Sequence, residues 1–112
     1  METYTEQDVT LTEEARGLVA RLSGDISIRN AAEIHRILLE AWKQNSAGRE
    51  MVVDLGNAKR IDSSGVGALL ELVSDGVSLA LCNLHASPRR LLERTGLSTL
   101  FRIYDDPGEV PA

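Results

Sequence analysis

The chain has 112 residues, 43% of them hydrophobic and 26% charged, with a formal net charge of -5. That is enough for one domain with a single hydrophobic core, and the acidic balance argues against general nucleic-acid binding, which needs a basic footprint. The near-apolar runs Val66–Val73 and Val77–Leu84 are too short to span a bilayer, Met1–Asp8 lacks the apolar centre of a secretory leader, and the lone Cys82 leaves no internal disulfide and no cysteine-rich metal site. The expected location is the cytoplasm. In chain order, residues 1–8 read as an irregular lead-in. Val9–Glu13 alternates apolar and polar as a half-buried strand does. A turn at Glu14–Gly17 leads to a second strand, Leu18–Leu22, so the two pair as an antiparallel hairpin. Ser23–Ser27 breaks the pattern and exits. Asn30, with Glu33 three residues on, reads as a capping box. It opens a helix whose apolar stripe is Ile34, Ile37, Leu38, Ala41 and Trp42, stopped by Ser46–Gly48. Trp42 belongs at the core or its edge.

Met51–Leu55 is a β-branched strand, Gly56–Arg60 a polar loop, and Val66–Val73 a second helix packed through Val66, Leu69, Leu70 and Val73. Asp75-Gly76 ends it. Val77–Leu84 is apolar at nearly every position, the pattern of an inner strand covered on both faces, with Cys82 as a small buried hydrophobe. A third helix spans about Ala86–Thr95, with Pro88 in its first turn and Gly96 as its stop. Arg89, Arg90 and Arg94 form a solvated basic face. Leu100–Tyr104 is a short last strand, and 105–112 an irregular tail. The order β-β-α-β-α-β-α-β predicts an α/β sandwich, with a mixed, mostly parallel sheet, an N-terminal hairpin and helices packed on it. It reads as one domain, 1–112, with its core at about 9–104.

Between the central strand and its helix lies Ile61-Asp62-Ser63-Ser64-Gly65. Asp and Ser cap helix starts because their side-chain oxygens accept the unpaired N–H groups of the first turn. From spacing alone the cluster reads first as a cap. Added negative charge is favoured there.

The stretch Asp54–Leu70, Asp-Leu-x(6)-Asp-Ser-Ser-Gly-Val-Gly-Ala-Leu-Leu, closely resembles the signature of the STAS domain, named for sulfate transporters and anti-sigma factor antagonists. The likeness runs from about Val9 to Tyr104 and takes in Leu22-Ser23-Gly24-Asp25-Ile26, Arg89–Leu97 and Phe101–Tyr104. Within the superfamily the chain looks most like stand-alone bacterial anti-anti-sigma factors. The resemblance implies phosphorylation at Ser63, the serine directly after the motif aspartate, with Ser64 as the structural cap. It implies a partner surface at Asp25, Ser27, Asp62, Ser64, Gly65 and Val66. The partner would be an anti-sigma factor that is also a serine kinase, a GHKL-type ATPase. It would be bound when Ser63 is unmodified and released by phosphorylation, with a PP2C-type phosphatase restoring the bound form. It further implies a monomer on its own, no direct nucleic-acid contact and no membrane insertion. Three departures stand out. Ser27 occupies a position where the family often has aspartate. The helix after Ser64 is about one turn short, and a terminal helix carried by many members does not follow Tyr104. These keep a second reading open, a cytosolic STAS subunit of a lipid-type ABC transporter without a phosphorylation cycle.

Enzymatic signals are weak. His35 and His85 lack the i+4 partner of a metal site. Ser63 lacks a G-x-S-x-G elbow, and Leu70 stands where Gly65-Val66-Gly67 would need a third glycine to bind a dinucleotide. The expectation is a non-enzymatic binding module without a cofactor.

Overall fold

A computed structural model describes residues 3–6, 8–14, 17–45, 50–105 and 107–109. Six strands form one sheet in strictly sequential order. They are β1 (Thr3–Glu6), β2 (Val9–Glu14), β3 (Gly17–Ile26), β4 (Met51–Ile61), β5 (Leu79–Cys82) and β6 (Arg102–Tyr104), with helices α1 (Ala31–Asn45), α2 (Ser63–Ser74) and α3 (Ala86–Arg94) between the later strands. The first two pairings are antiparallel and the last three parallel. Strands added one after another in one direction, through crossovers of one hand, put all three helices on the same face.

Strand alternation separates the two faces. Met51, Val53 and Leu55 of β4, with Leu79 and Leu81 of β5, point into a core closed by Ile34, Ile37 and Leu38 of α1, Val66, Leu69 and Leu72 of α2 and Leu92 of α3. Val19, Val52 and Cys82 form a small cluster on the opposite face, with Tyr104 packed against them. Cys82 is thus the buried hydrophobe expected of it, and Trp42 packs at the edge of the main core. Among the described residues, no helix is long and apolar enough to cross a membrane.

The elements differ from expectation in four places. Thr3–Glu6, read as irregular, pairs with β2 from Thr3↔Thr12 to Glu6↔Val9. The run Thr-Tyr-Thr suits a strand, but it is too short to declare itself without the neighbour it pairs with. The supposed loop Gly56–Arg60 and the supposed exit Ser23–Ile26 are the far halves of β4 and β3. They pair as Ser23↔Asn57, Gly24↔Ala58, Asp25↔Arg60 and Ile26↔Ile61, with register shifts on the way. Polar side chains hid them, because only Ala58 and Ile26 are buried there. The ladder satisfies the backbone regardless of side-chain polarity, and irregularities of register absorb the broken alternation. β5 stops at Cys82 because Asn83 adopts φ 59, a left-handed conformation Asn tolerates better than most residues. The last strand begins at Arg102, since Leu97–Leu100 winds into a 3-10 turn. The expected stop of α1 at 46–48 lies outside the described residues, as do residues 15–16 of the hairpin turn and 106 and 110–112 of the tail.

This topology positions one end of the molecule. β5 pairs only with Met51–Asp54 of β4. Beyond Asp54 the sheet narrows to β3 and β4, and the pair of strands delivers Ile26 and Ile61 side by side to the starts of α1 and α2.

Candidate functional site at the start of α2

Asp62 caps α2. Its backbone is extended, φ -93 and ψ -175, and its carboxylate accepts the N–H groups of Ser64 at 2.9 Å and Gly65 at 3.1 Å. The cap is therefore Asp62, not Ser64. The chain enters the helix at Ser63, so both serines are already helical and cannot serve as the flanking cap residue. The Asp62 N–H in turn donates to the Ile26 carbonyl at 3.1 Å, tying the cap to the end of β3. Ser63, the first residue of α2, is exposed, and its hydroxyl bonds to none of the described residues.

Asp25, Ser27 and Asp62 line one open cleft of about 570 Å³, together with Asp8, Arg29, Asn30 and Arg60. Asn30 organises its wall. Its Oδ1 accepts the Ser27 N–H at 2.9 Å and its Nδ2 donates to the Asp25 carbonyl at 2.9 Å. This replaces the expected capping box, since Asn30 reaches back toward β3 and Glu33 pairs with Arg36. The Ser27 hydroxyl accepts the Arg29 N–H at 3.3 Å, so it braces the turn into α1. Ser64 lies outside this cleft. It lines a groove of about 270 Å³ between α1 and α2 with Ile28, Ala31, Ala32, Gly67 and Glu71. Ile28 is 79% exposed at the groove's mouth.

Gly65 and Val66, grouped with the surface residues by resemblance, lie inside. Val66 is 5% exposed. A Cβ at Gly65 would stand 2.8 Å from Ile26 Cγ2 and from Ile61 Cγ2. Only a hydrogen fits there, so α2 rests directly on the ends of β3 and β4. Sequence reading missed Asp8, Arg29, Asn30 and Arg60, because they join the cleft only once β3 and β4 pair to their ends. Ile28 was missed as well: the isoleucine between Ser27 and Arg29 stands in the sequence, but its exposure is decided by the fold.

Away from the cleft, Asp54 is a positioning node. Its Oδ1 accepts from the Gly56 N–H and from Asn83 Nδ2, each at 2.9 Å, and its Oδ2 lies 3.6 Å from Arg21 Nε. These bonds fix the place where β4 outruns β5. The two imidazoles have structural partners. His35 Nε2 lies 3.0 Å from Asp75 Oδ2 and 3.7 Å from Glu71 Oε2, bridging α1 and α2. His85 Nε2 lies 3.0 Å from the Gly56 carbonyl. Neither hydrogen-bonds Ser63, and no group of metal-ligating side chains is found among the described residues.

A sequential mixed sheet carrying three helices on one face, with an exposed serine directly after a helix cap that lines a polar cleft, defines a small α/β module. The STAS domain family model matches residues 6–110, and the chain belongs to that family. It is 31% identical over 99 residues, 84% of each chain, to an anti-sigma F factor antagonist of Paenibacillus polymyxa. Among solved structures it is similar to an anti-sigma factor antagonist from Mycobacterium paratuberculosis, with TM-score 0.80, 17% identity and coverage of 91% of this chain and 88% of that one. It is also similar to the Bacillus cell fate determinant SpoIIAA in its phosphorylated form, with TM-score 0.62, 22% identity and coverage of 89% and 94%. At these identities the two structures speak to the fold alone.

Proposed function

We propose that this chain is an anti-sigma factor antagonist that binds an anti-sigma factor of the GHKL-type serine kinase class and is released by phosphorylation of Ser63. The observation that carries this reading is the exposed Ser63 hydroxyl, bonded to none of the described residues, beside the Asp62 cap. The relative from Paenibacillus supports the general role. A phosphoryl group adds about -1.5 to -2 charges at pH 7. At a helix N-terminus the fold accommodates that charge, because the unpaired N–H groups and the helix dipole favour it. The effect therefore falls on the partner. Ile28 and the groove behind it offer apolar contact, while Asp25, Ser27, Asp62 and Ser64 supply a polar rim. New charge on that rim must be desolvated or repels an acidic neighbour, so binding is lost while the fold stays in place. The kinase supplies nucleotide, metal and base, so Ser63 needs no activating residue in this chain. Gly65 and Val66 act from beneath, by setting the height of the helix start.

The test is a pull-down from native-host lysate with wild-type, Ser63→Ala and Ser63→Asp baits. A GHKL-type ATPase retained by the first two and lost with the third supports the switch. Equal retention of transporter subunits by all three baits would replace it with a constitutive transporter complex.

A further inference from the structure

Two cations of the cleft have no ion-pair or hydrogen-bond partner among the described residues. Arg29 and Arg60 line it, both are exposed, and neither side chain forms an ion pair or hydrogen bond with a described residue. No carboxylate of a described residue comes within ion-pair distance of either guanidinium, although three line the same cleft. Asp62 Oδ1 accepts two of the first N–H groups of α2. The Asp8 carboxylate meets Asn30 Nδ2 at 3.5 Å. Asp25 sits opposite Arg60 in the strand register, yet no ion pair joins them among the described residues. Ser27, between the acidic positions, is neutral and already bonded to the Arg29 N–H.

Arg60 and Ser63 are three residues apart, at most about 10 Å of chain. An arginine and a phosphoserine side chain together span that gap. Arg29 lines the same cleft from the turn before α1. Guanidinium groups bind phosphate through paired, charge-assisted hydrogen bonds.

We infer that Arg29 and Arg60 form an intramolecular clamp for a phosphoryl group on Ser63. This inference rests on the reading of Ser63 as the modified residue. The clamp draws the phosphate over the cleft, so that modification covers Asp25 and Ser27 as well as adding charge. The groups opposing it are the carboxylates of Asp8, Asp25 and Asp62, and Glu71 across the groove. His35 faces the groove from α1.

The experiment needs no kinase. Phosphoserine is incorporated at position 63 of the full chain during translation, and the phosphate is titrated by phosphorus NMR. Free phosphoserine loses its second proton near pH 6. Arg29→Gln and Arg60→Gln should each raise the wild-type midpoint. The double variant should raise it by about half a unit, the shift an exposed ion pair of ordinary strength produces. Arg60→Lys should restore part of the shift, and Arg90→Gln, on the exposed face of α3, should leave it unchanged. Circular dichroism checks that each variant is folded. A double variant that titrates with the wild type overturns the clamp. So does an equal shift on Arg90→Gln, which would reduce the effect to net charge. Because the phosphate is installed without the kinase, these results are separable from the pull-down, which alone decides the partner reading.

Discussion

Two glycines two residues apart in α2 should respond with opposite sign to the same substitution. Replacing glycine by alanine in a helix gains up to about 1 kcal/mol in propensity. At Gly67 nothing lies within 4 Å of a new Cβ, so Gly67→Ala should keep that gain and stabilise by up to about 1 kcal/mol. At Gly65 the new Cβ would stand 2.8 Å from both Ile26 Cγ2 and Ile61 Cγ2 and 3.3 Å from the Ile26 carbonyl oxygen. Those methyls branch from β-carbons with stiff χ1 angles, and the strands carrying them are paired along the edge of contact. Relief requires lifting α2 off the strand ends, and overpacking of this kind costs about 1–3 kcal/mol. Gly65→Ala should therefore destabilise by about 1 kcal/mol net, and the two variants should differ by about 1–3 kcal/mol. For a domain of this size each kcal/mol moves the melting temperature by about 4 °C. Urea unfolding with an unchanged m-value reads the difference directly. If Gly65→Ala is as stable as Gly67→Ala, the close seat of α2 on Ile26 and Ile61 is refuted, and with it the mechanism that sets the height of Ser63.

Substitutions at three further positions test other parts of the structure. Asp62→Ala removes the cap and should cost about 1 kcal/mol, with Asp62→Ser retaining most of it, measured by urea unfolding. Asp54→Ala leaves the Gly56 N–H and Asn83 side chain without their acceptor and should cost about 1–3 kcal/mol. Hydrogen exchange should find the loss of protection concentrated at Gly56 and Asn57, where β4 extends past β5. Ile28→Asp should leave stability within about 0.5 kcal/mol of wild type, because the side chain is 79% exposed. It should nonetheless abolish retention of the kinase partner in the pull-down; unaltered retention would remove Ile28 from the partner surface.

What the sequence alone determined was local. The apolar stripe of α1, the buried run in β5 and the Asp-Ser-Ser start of α2 follow from side-chain period and capping chemistry, which act over a few residues and can be read without a neighbour. The motif from Asp54 to Leu70 also marked the family. Only the tertiary structure decided what depends on strands far apart in the chain. The polar halves of β3 and β4 are strands because each satisfies the other's backbone, a pairing between residues 23–26 and 57–61 that no side-chain pattern announces. That pairing brings Arg60 into one cleft with Asp8, Arg29 and Asn30. It also sets Ile26 beside Ile61, and so turns Gly65 from a plausible contact residue into the buried seat of α2. The choice between Asp62 and Ser64 as cap was settled by the same geometry, because the hydrogen bond from the Asp62 N–H to the end of β3 fixes where extended chain gives way to helix.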